Sequence, residues 1–278
     1  MTQLRIEHRT HFDYKAPIVS SYNEARLTPA WLPRQRVLES TIDISPVTWR
    51  STYRDYWEAS VVFFEVLQAH ESLTVASSSL VEVIGQPARA ERTSWDTLSG
   101  PRFQDLLSEY LGLSRVTDPT EEVADFAREA AGRLDPDAAA REICQFLYDE
   151  IKYVPGSTTV HTPASEAWAA RSGVCQDFAH LAIGALRTIG IPARYVSGYL
   201  HPKRTAAIGE TVTGESHAWV EWWTGDWYGF DPTNDREVGD HHVIVARARE
   251  YRDIPPLTGV VAGSTESLDV SVNITQVE

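Results

Sequence analysis

The hydrophobic pattern of this chain changes period near residue 100, and that change restricts the folds open to it. Up to residue 90, apolar and polar residues alternate, as around Leu4 and Ile6, and the short run Val61–Val66 is densely apolar with two phenylalanines. Such alternation predicts short β-strands. From residue 100 apolar residues recur at helical spacing, and strands return from Ala193. We therefore predict an α+β fold that opens with an antiparallel β-sandwich-like domain over residues 1–90.

Proline marks three of the predicted helix starts. Asp118-Pro119, Asp135-Pro136 and Thr162-Pro163 each place a capping residue before proline, whose missing N–H costs nothing in a first helical turn. An earlier helix is expected near Pro101. The helix after Pro136 carries an apolar stripe that includes Cys144, so we interpret this cysteine as a core residue.

A further helix begins beside the second cysteine. The dipeptide Ser172-Gly173 is expected to end the preceding helix in the left-handed conformation, and Cys175 follows at the edge of the next apolar stripe. Free peptide N–H groups at a helix N-terminus favour a thiolate and can hold an oxyanion. Cys175 is therefore the candidate nucleophile.

The counts of cysteine and charge exclude several classes of protein. Two cysteines in 278 residues cannot build a disulfide framework or a four-cysteine zinc site. The net charge of −14, of which residues 1–90 contribute only −1, argues against a nucleic-acid partner. Neither a signal peptide nor an apolar run of about 20 residues is visible, so we expect no membrane partner and a cytoplasmic location.

A cysteine nucleophile needs a base, and the base needs an orienting group. His217 opens a strand-like run, and Asp231 closes the next one. If the hairpin loop consists of Trp223, Thr224 and Gly225, then His217 lies directly opposite Asp231 on one sheet face. Other loop lengths give a diagonal placement or opposite faces. Without Cys175, His217 would be interpreted as a strand residue and Asp231 as the start of a turn.

Other polar residues near these motifs have simpler interpretations. Asp177 is expected to interact with the helix dipole, and His180 to be structural. The adjacent pair His241-His242 would point to opposite faces of a strand, and no further ligands stand at a suitable spacing, so we predict no metal site. Most of the tryptophans between residues 219 and 227 are expected in the core.

Together these motifs resemble the core of bacterial transglutaminase-like proteins. The resemblance is carried by the following segments: Gly173-Val174-Cys175-Gln176-Asp177-Phe178-Ala179-His180, Gly190-Ile191-Pro192-Ala193-Arg194-Tyr195-Val196-Ser197-Gly198-Tyr199, His217-Ala218-Trp219 and Asp231-Pro232-Thr233-Asn234. It implies a papain-like fold with a catalytic triad of Cys175, His217 and Asp231, in a core that spans residues 91–278. Residues 1–90 resemble the β-rich region that accompanies this core. One departure is Asp55-Tyr56-Trp57-Glu58, where the family has a Gly-Asn turn, so a different turn is expected.

The resemblance implies acyl transfer through a thioester on a peptide or isopeptide amide, with a peptide or protein as substrate. We favour hydrolysis, because water is always present. A transglutaminase that uses an amine acceptor is the alternative, and a non-enzymatic interaction module that retains the fold is a third possibility. No metal or nucleotide cofactor is implied. Neither the substrate's identity nor an oligomeric state follows from these motifs.

Overall fold

A computed structural model describes residues 1–86, 93–203, 207–261 and 263–278. It confirms the α+β class: antiparallel sheets come first, and a mixed core of helices and strands follows. The boundary predicted at residue 90 lies outside the described residues. No helix within these ranges is long and apolar enough to cross a membrane.

The first part of the chain consists of antiparallel strands that enclose an apolar layer. The strands are β1 (Thr2–Ile18), β2 (Ser21–Ala25), β3 (Gln35–Ser45), β4 (Trp49–Arg54), β5 (Ser60–Val66) and β6 (His70–Val83). β1 pairs with β6, and β6 with β3, whereas β2, β5 and β4 belong to a second sheet. Phe64 on β5 and Leu73 and Val75 on β6 are buried together between the sheets, as the period of two predicts.

Asp55 organises the turn between β4 and β5, at the place where the sequence lacks a Gly-Asn pair. Oδ1 of Asp55 accepts hydrogen bonds from the N–H groups of Trp57 (2.9 Å) and Ala59 (3.0 Å). Glu58 adopts a positive φ of 61°, in the left-handed region that a glycine would occupy more easily. Arg26 forms an ion pair with Asp55 at 2.9 Å and ties the turn to the end of β2.

Six α-helices are described, besides two short 3-10 helices, and proline placement predicted the α-helix starts only in part. They are α1 (Trp95–Leu98), α2 (Pro101–Leu106), α3 (Glu121–Arg133), α4 (Pro136–Glu150), α5 (Ala164–Ala170) and α6 (Cys175–Thr188). The starts at Pro101 and Pro136 are confirmed, and Asp135 caps α4 by accepting from Ala138 N at 3.0 Å. The other two predicted starts are wrong: α3 begins after Thr120, and Pro163 precedes α5 rather than opening it. The sequence pattern did not reveal α1.

Helix α6 forms the centre of the second part. Its side chains from Phe178 to Leu186 are buried, and they pack with α4 and with the sheet in one apolar cluster. Cys144 on α4 is fully buried in that cluster, as predicted. The strands of this part are β7 (Lys152–Tyr153), β8 (Ser172–Gly173), β9 (Ala193–Leu200), β10 (Thr211–Trp223), β11 (Trp227–Asp231), β12 (Arg236–Glu237), β13 (His242–Ala248), β14 (Leu257–Val261) and β15 (Thr265–Gln276).

The last strands connect the second part of the chain to the first. β15 pairs with β1 on one side and with β10 on the other, so that one continuous sheet of nine strands joins the two parts. β14 likewise extends the sheet that contains β2. The predicted alternation of β15 is observed at Val272 and Ile274, which are buried. Leu268 and Val270 are more exposed than the pattern predicts, with 57% and 49% of their surface accessible.

Candidate active site

Cys175 is the first residue of α6, where the sequence predicted it. Its side chain is partly exposed, unlike that of the buried Cys144. The N–H groups of the first turn of a helix have no partner within the helix. Here Asp177 N already donates to Val174 O at 2.9 Å, so the peptide N–H groups of Cys175 and Gln176 are the candidate free donors of this first turn. A thiol in this place lies beside the N–H donors of the first turn of α6.

Asp177 has a more definite role than the predicted interaction with the helix dipole. Its Oδ2 accepts from Val174 N (2.7 Å) and from Thr158 Oγ1 (2.6 Å), so it ties the loop before α5 to the start of α6. Burial raises the pKa of this carboxyl, and the two hydrogen bonds oppose that effect. The residue at position 173 must be glycine, because a Cβ there would lie 2.8 Å from Cβ of Asp177.

The left-handed helix end predicted at Ser172-Gly173 is wrong by one to two residues. Arg171 adopts the left-handed conformation, with φ 49°, at the end of α5. Ser172 and Gly173 instead form β8, which pairs in parallel with β7. The glycine at 173 is thus required by the close approach of Asp177 and not by a turn.

His217 and Asp231 are brought together, although not by the predicted register. Trp223 pairs with Trp227, so the hairpin loop consists of Thr224, Gly225 and Asp226. Gly225 has φ 108°, a conformation that other residues rarely adopt, and the loop therefore centres on it. This register places Asp231 diagonal to His217 on the same face rather than directly opposite. The side chains of His217 and Asp231 are long enough to meet from these diagonal positions, and Nε2 of His217 lies 2.8 Å from Oδ2 of Asp231.

Asp231 is fully buried and is surrounded by hydrogen-bond donors. Thr233 N donates to its Oδ1 at 3.1 Å, and Asn234 Nδ2 donates to its Oδ2 at 2.7 Å. Nε2 of His242 lies 3.4 Å from the same Oδ2, and Arg236 Nε lies 3.7 Å away. Burial alone would raise the pKa of Asp231, but the neighbouring His217, followed by His242, holds it far below its usual range. The carboxylate therefore stays charged.

His217 stands between this carboxylate and the thiol of Cys175. Burial lowers the pKa of His217, but the charge of Asp231 and hydrogen bonds to Asp231 and Cys175 outweigh it and raise the pKa to about 10. Because Nε2 faces Asp231, the other ring nitrogen is available to the thiol. The sequence-predicted nucleophile, base and orienting residue are thus neighbours in space.

A cleft opens over Cys175 and His217. Its volume is about 420 Å³, and its walls include Tyr153, Tyr251 and Val272. A second cavity of about 370 Å³ is also lined by His217, together with Asn234. A larger cavity of about 790 Å³, lined by Trp31, Trp57 and Arg194 among others, contains none of the three residues.

Sequence reasoning missed the contact of His242 with Asp231. The two adjacent histidines do differ in exposure, since His242 is 3% accessible and lies against the site. Its position at the start of the apolar strand β13 was the available signal. His180 is structural, as predicted: it is buried, and its Nε2 accepts from Tyr251 N at 3.2 Å. Within the described residues, no group of three His, Cys, Asp or Glu side chains is arranged to hold a metal ion.

The comparisons with known proteins identify the family. The transglutaminase-like superfamily matches residues 124–232, and the bacterial transglutaminase-like N-terminal region matches residues 4–82. The uncharacterized protein ML0607 of Mycobacterium leprae is 40% identical over 277 residues, which cover 99% of each chain. The chain therefore belongs to the transglutaminase-like superfamily.

Two further comparisons concern the fold and a shorter stretch of the sequence. The crystal structure of a putative cysteine protease from Cytophaga hutchinsonii has the same fold, with a TM-score of 0.78 and 20% identity, and the match covers 100% of this chain and 92% of that one. A protein-glutamine gamma-glutamyltransferase of Pseudomonas aeruginosa is 33% identical over 98 residues, which are 31% of this chain and 15% of that protein.

Proposed function

We propose that this protein is an enzyme that catalyses cysteine-dependent acyl transfer on a peptide or isopeptide amide, with water as the acceptor. The observation that supports this most directly is the chain of contacts from Cys175 through His217 to Asp231 beside an open cleft. The substrate in this proposal is a peptide or protein. The reaction requires no metal or nucleotide, and it takes place in the cytoplasm, where both cysteines stay reduced.

In the proposed reaction, the Cys175 thiolate attacks the amide carbonyl, and the N–H groups of Cys175 and Gln176 hold the oxyanion. The His217 imidazolium gives its proton to the leaving amine, which departs as the thioester forms. Water then attacks the thioester with His217 as general base, and the acid product leaves the free thiol. Throughout, Asp231 keeps the imidazole oriented and stabilises its charge.

An amine acceptor is the second candidate, which would make the protein a transglutaminase. The cavity beside Asn234 also borders His217, and it is the space that this candidate assigns to the second substrate. The partial similarity to the Pseudomonas aeruginosa gamma-glutamyltransferase also favours this candidate. The two candidates share the thioester and differ only in the group that resolves it.

A peptide-library incubation, with and without an added primary amine, tests the proposal. Product masses distinguish hydrolysis, deamidation and amine incorporation. We expect hydrolysis products from the wild type, none from Cys175→Ala, and unchanged activity from Cys144→Ala, since burial raises the pKa of the Cys144 thiol and keeps it unreactive. Activity that survives in Cys175→Ala would refute the proposal. If no product forms with any library, and the Cys175 thiol is alkylated no faster than a free cysteine, the fold serves as an interaction module.

A further inference from the structure

A second histidine contacts the carboxylate that orients His217. We propose that His242 is a positioning residue for Asp231: it donates a neutral N–H to the carboxylate and fixes its orientation toward His217. This inference rests on the proposed function. In this arrangement one buried carboxylate serves two imidazoles, with a short contact of 2.8 Å to His217 and a longer one of 3.4 Å to His242.

The hydrogen bonds of His242 determine where its proton lies. Gly239 N donates to Nδ1 of His242 at 3.1 Å, so Nδ1 accepts and carries no hydrogen. In a neutral imidazole the proton is then on Nε2, the atom that faces Oδ2 of Asp231. His242 therefore presents an N–H to the carboxylate rather than a lone pair, which would repel it.

The surroundings of His242 keep its ring neutral. Burial lowers the pKa of His242 to about 4, although Asp231 acts in the opposite direction, and the charges of His217 and Arg236 lower it further. The ring of Trp219 meets the His242 ring edge-on, with centroids 5.3 Å apart, and fixes its plane. A neutral donor supports the carboxylate without competing for the proton that His217 holds.

The strand that carries His242 is itself fixed from the N-terminal part of the chain. Two residues further along β13, Ile244 N donates to Oε1 of Gln35, and Nε2 of Gln35 donates to Ile244 O, both at 2.7 Å. Gln35 is 2% accessible, so these bonds are shielded from water. The position of His242 behind Asp231 is thus held by this buried pair of hydrogen bonds as well as by Gly239 in the loop that follows β12.

Substitutions at position 242 separate positioning from packing. In His242→Gln the amide nitrogen reaches the place of Nε2, whereas in His242→Asn it reaches only the place of Nδ1, and His242→Met supplies no donor. Alkylation of Cys175 by iodoacetamide, followed from pH 5 to pH 11, reports the Cys175–His217 pair without a known substrate. The control is His8→Met, which removes another buried histidine whose pKa is lowered to about 4 but whose Nδ1 contacts Tyr199 and not Asp231.

We expect His242→Asn and His242→Met to alkylate about tenfold more slowly at pH 7, with the alkaline limb of the profile at lower pH. His242→Gln is expected to restore the wild-type pH profile. His8→Met is expected to be less stable but to keep the wild-type pH profile. The inference would be overturned if His242→Gln and His242→Asn gave equal pH profiles, or if the profile of His242→Met equalled that of the wild type. If instead wild type and His217→Ala alkylate at equal rates, the proposed function itself fails, whatever the variants at 242 do.

Discussion

Replacement of Asp231 by asparagine tests the electrostatics of the site most directly. Asparagine has the same shape but no charge, and Oδ2 of Asp231 lies 2.8 Å from Nε2 of His217. The carboxylate is the main reason that the pKa of His217 rises to about 10 despite burial. Without it, we expect the pKa of His217 to fall to 6.5 or below, because only the burial effect and the thiol remain.

The size of the effect follows from this change. At pH 8, a histidine with a pKa near 10 is almost fully protonated, whereas one with a pKa of 6.5 is protonated to roughly one part in thirty. The imidazolium stabilises the thiolate of Cys175, but a thiol without such a partner, with a pKa of about 8.5, is still about one quarter ionised at pH 8. The alkylation rate at pH 8 should therefore fall about fourfold. Turnover of a peptide substrate should fall further, by about 10²- to 10⁴-fold, because the imidazole also loses its orientation.

The assay is the rate of Cys175 alkylation against pH, combined with an NMR titration of the His217 ring. Asp226→Asn, on the exposed loop of the same hairpin, is the matched control and should leave both curves unchanged. Thermal unfolding of both variants shows whether the site is still folded. A pH profile of Asp231→Asn that superimposes on that of the wild type would refute the reasoning.

Two further predictions concern stability. Burial lowers the pKa of His8 to about 4 and that of His180 to about 3, so below pH 6.5 the unfolded chain binds protons that the native protein does not. The free energy of unfolding should therefore decrease as the pH falls from 6.5 toward 4, by up to about 1.4 kcal/mol per pH unit for each group, and urea titrations that show a constant value would contradict this. In α6, Gly184→Ala would place a Cβ 1.8 Å from the carbonyl oxygen of Thr117, and it should cost about 1–3 kcal/mol or more. Gly132→Ala in α3 has open space and should stabilise the protein by about 0.5–1 kcal/mol, so that equal effects of the two substitutions in denaturant titrations would contradict the packing argument.

The sequence predicted the elements of the site better than their exact geometry. The helix start at Cys175 could be predicted because an apolar stripe and the flanking turn residues are local signals. The loop of the β10–β11 hairpin lies one residue later than predicted, which changes the register of the two strands. The positive φ of Gly225 places the centre of the loop at that residue. The start of an apolar strand marked His242, but its contact with Asp231 did not follow from that signal. The contact depends on three strand pairings, β13 with β9, β9 with β10 and β10 with β11.

The placement of β15 between β1 and β10 has a consequence for synthesis on the ribosome. Cys175, His217 and Asp231 are all translated before β15, which then supplies Val270 and Val272 to the wall of the cleft. Until β15 arrives, β1 and residues 211–214 of β10 lack their partner strand, and an unpaired edge is the feature by which strands join other chains. The nascent protein is therefore expected to be most prone to aggregate, and least able to retain a peptide beside its thiol, just before β15 is added. A message truncated at this point should yield insoluble chain rather than a smaller enzyme.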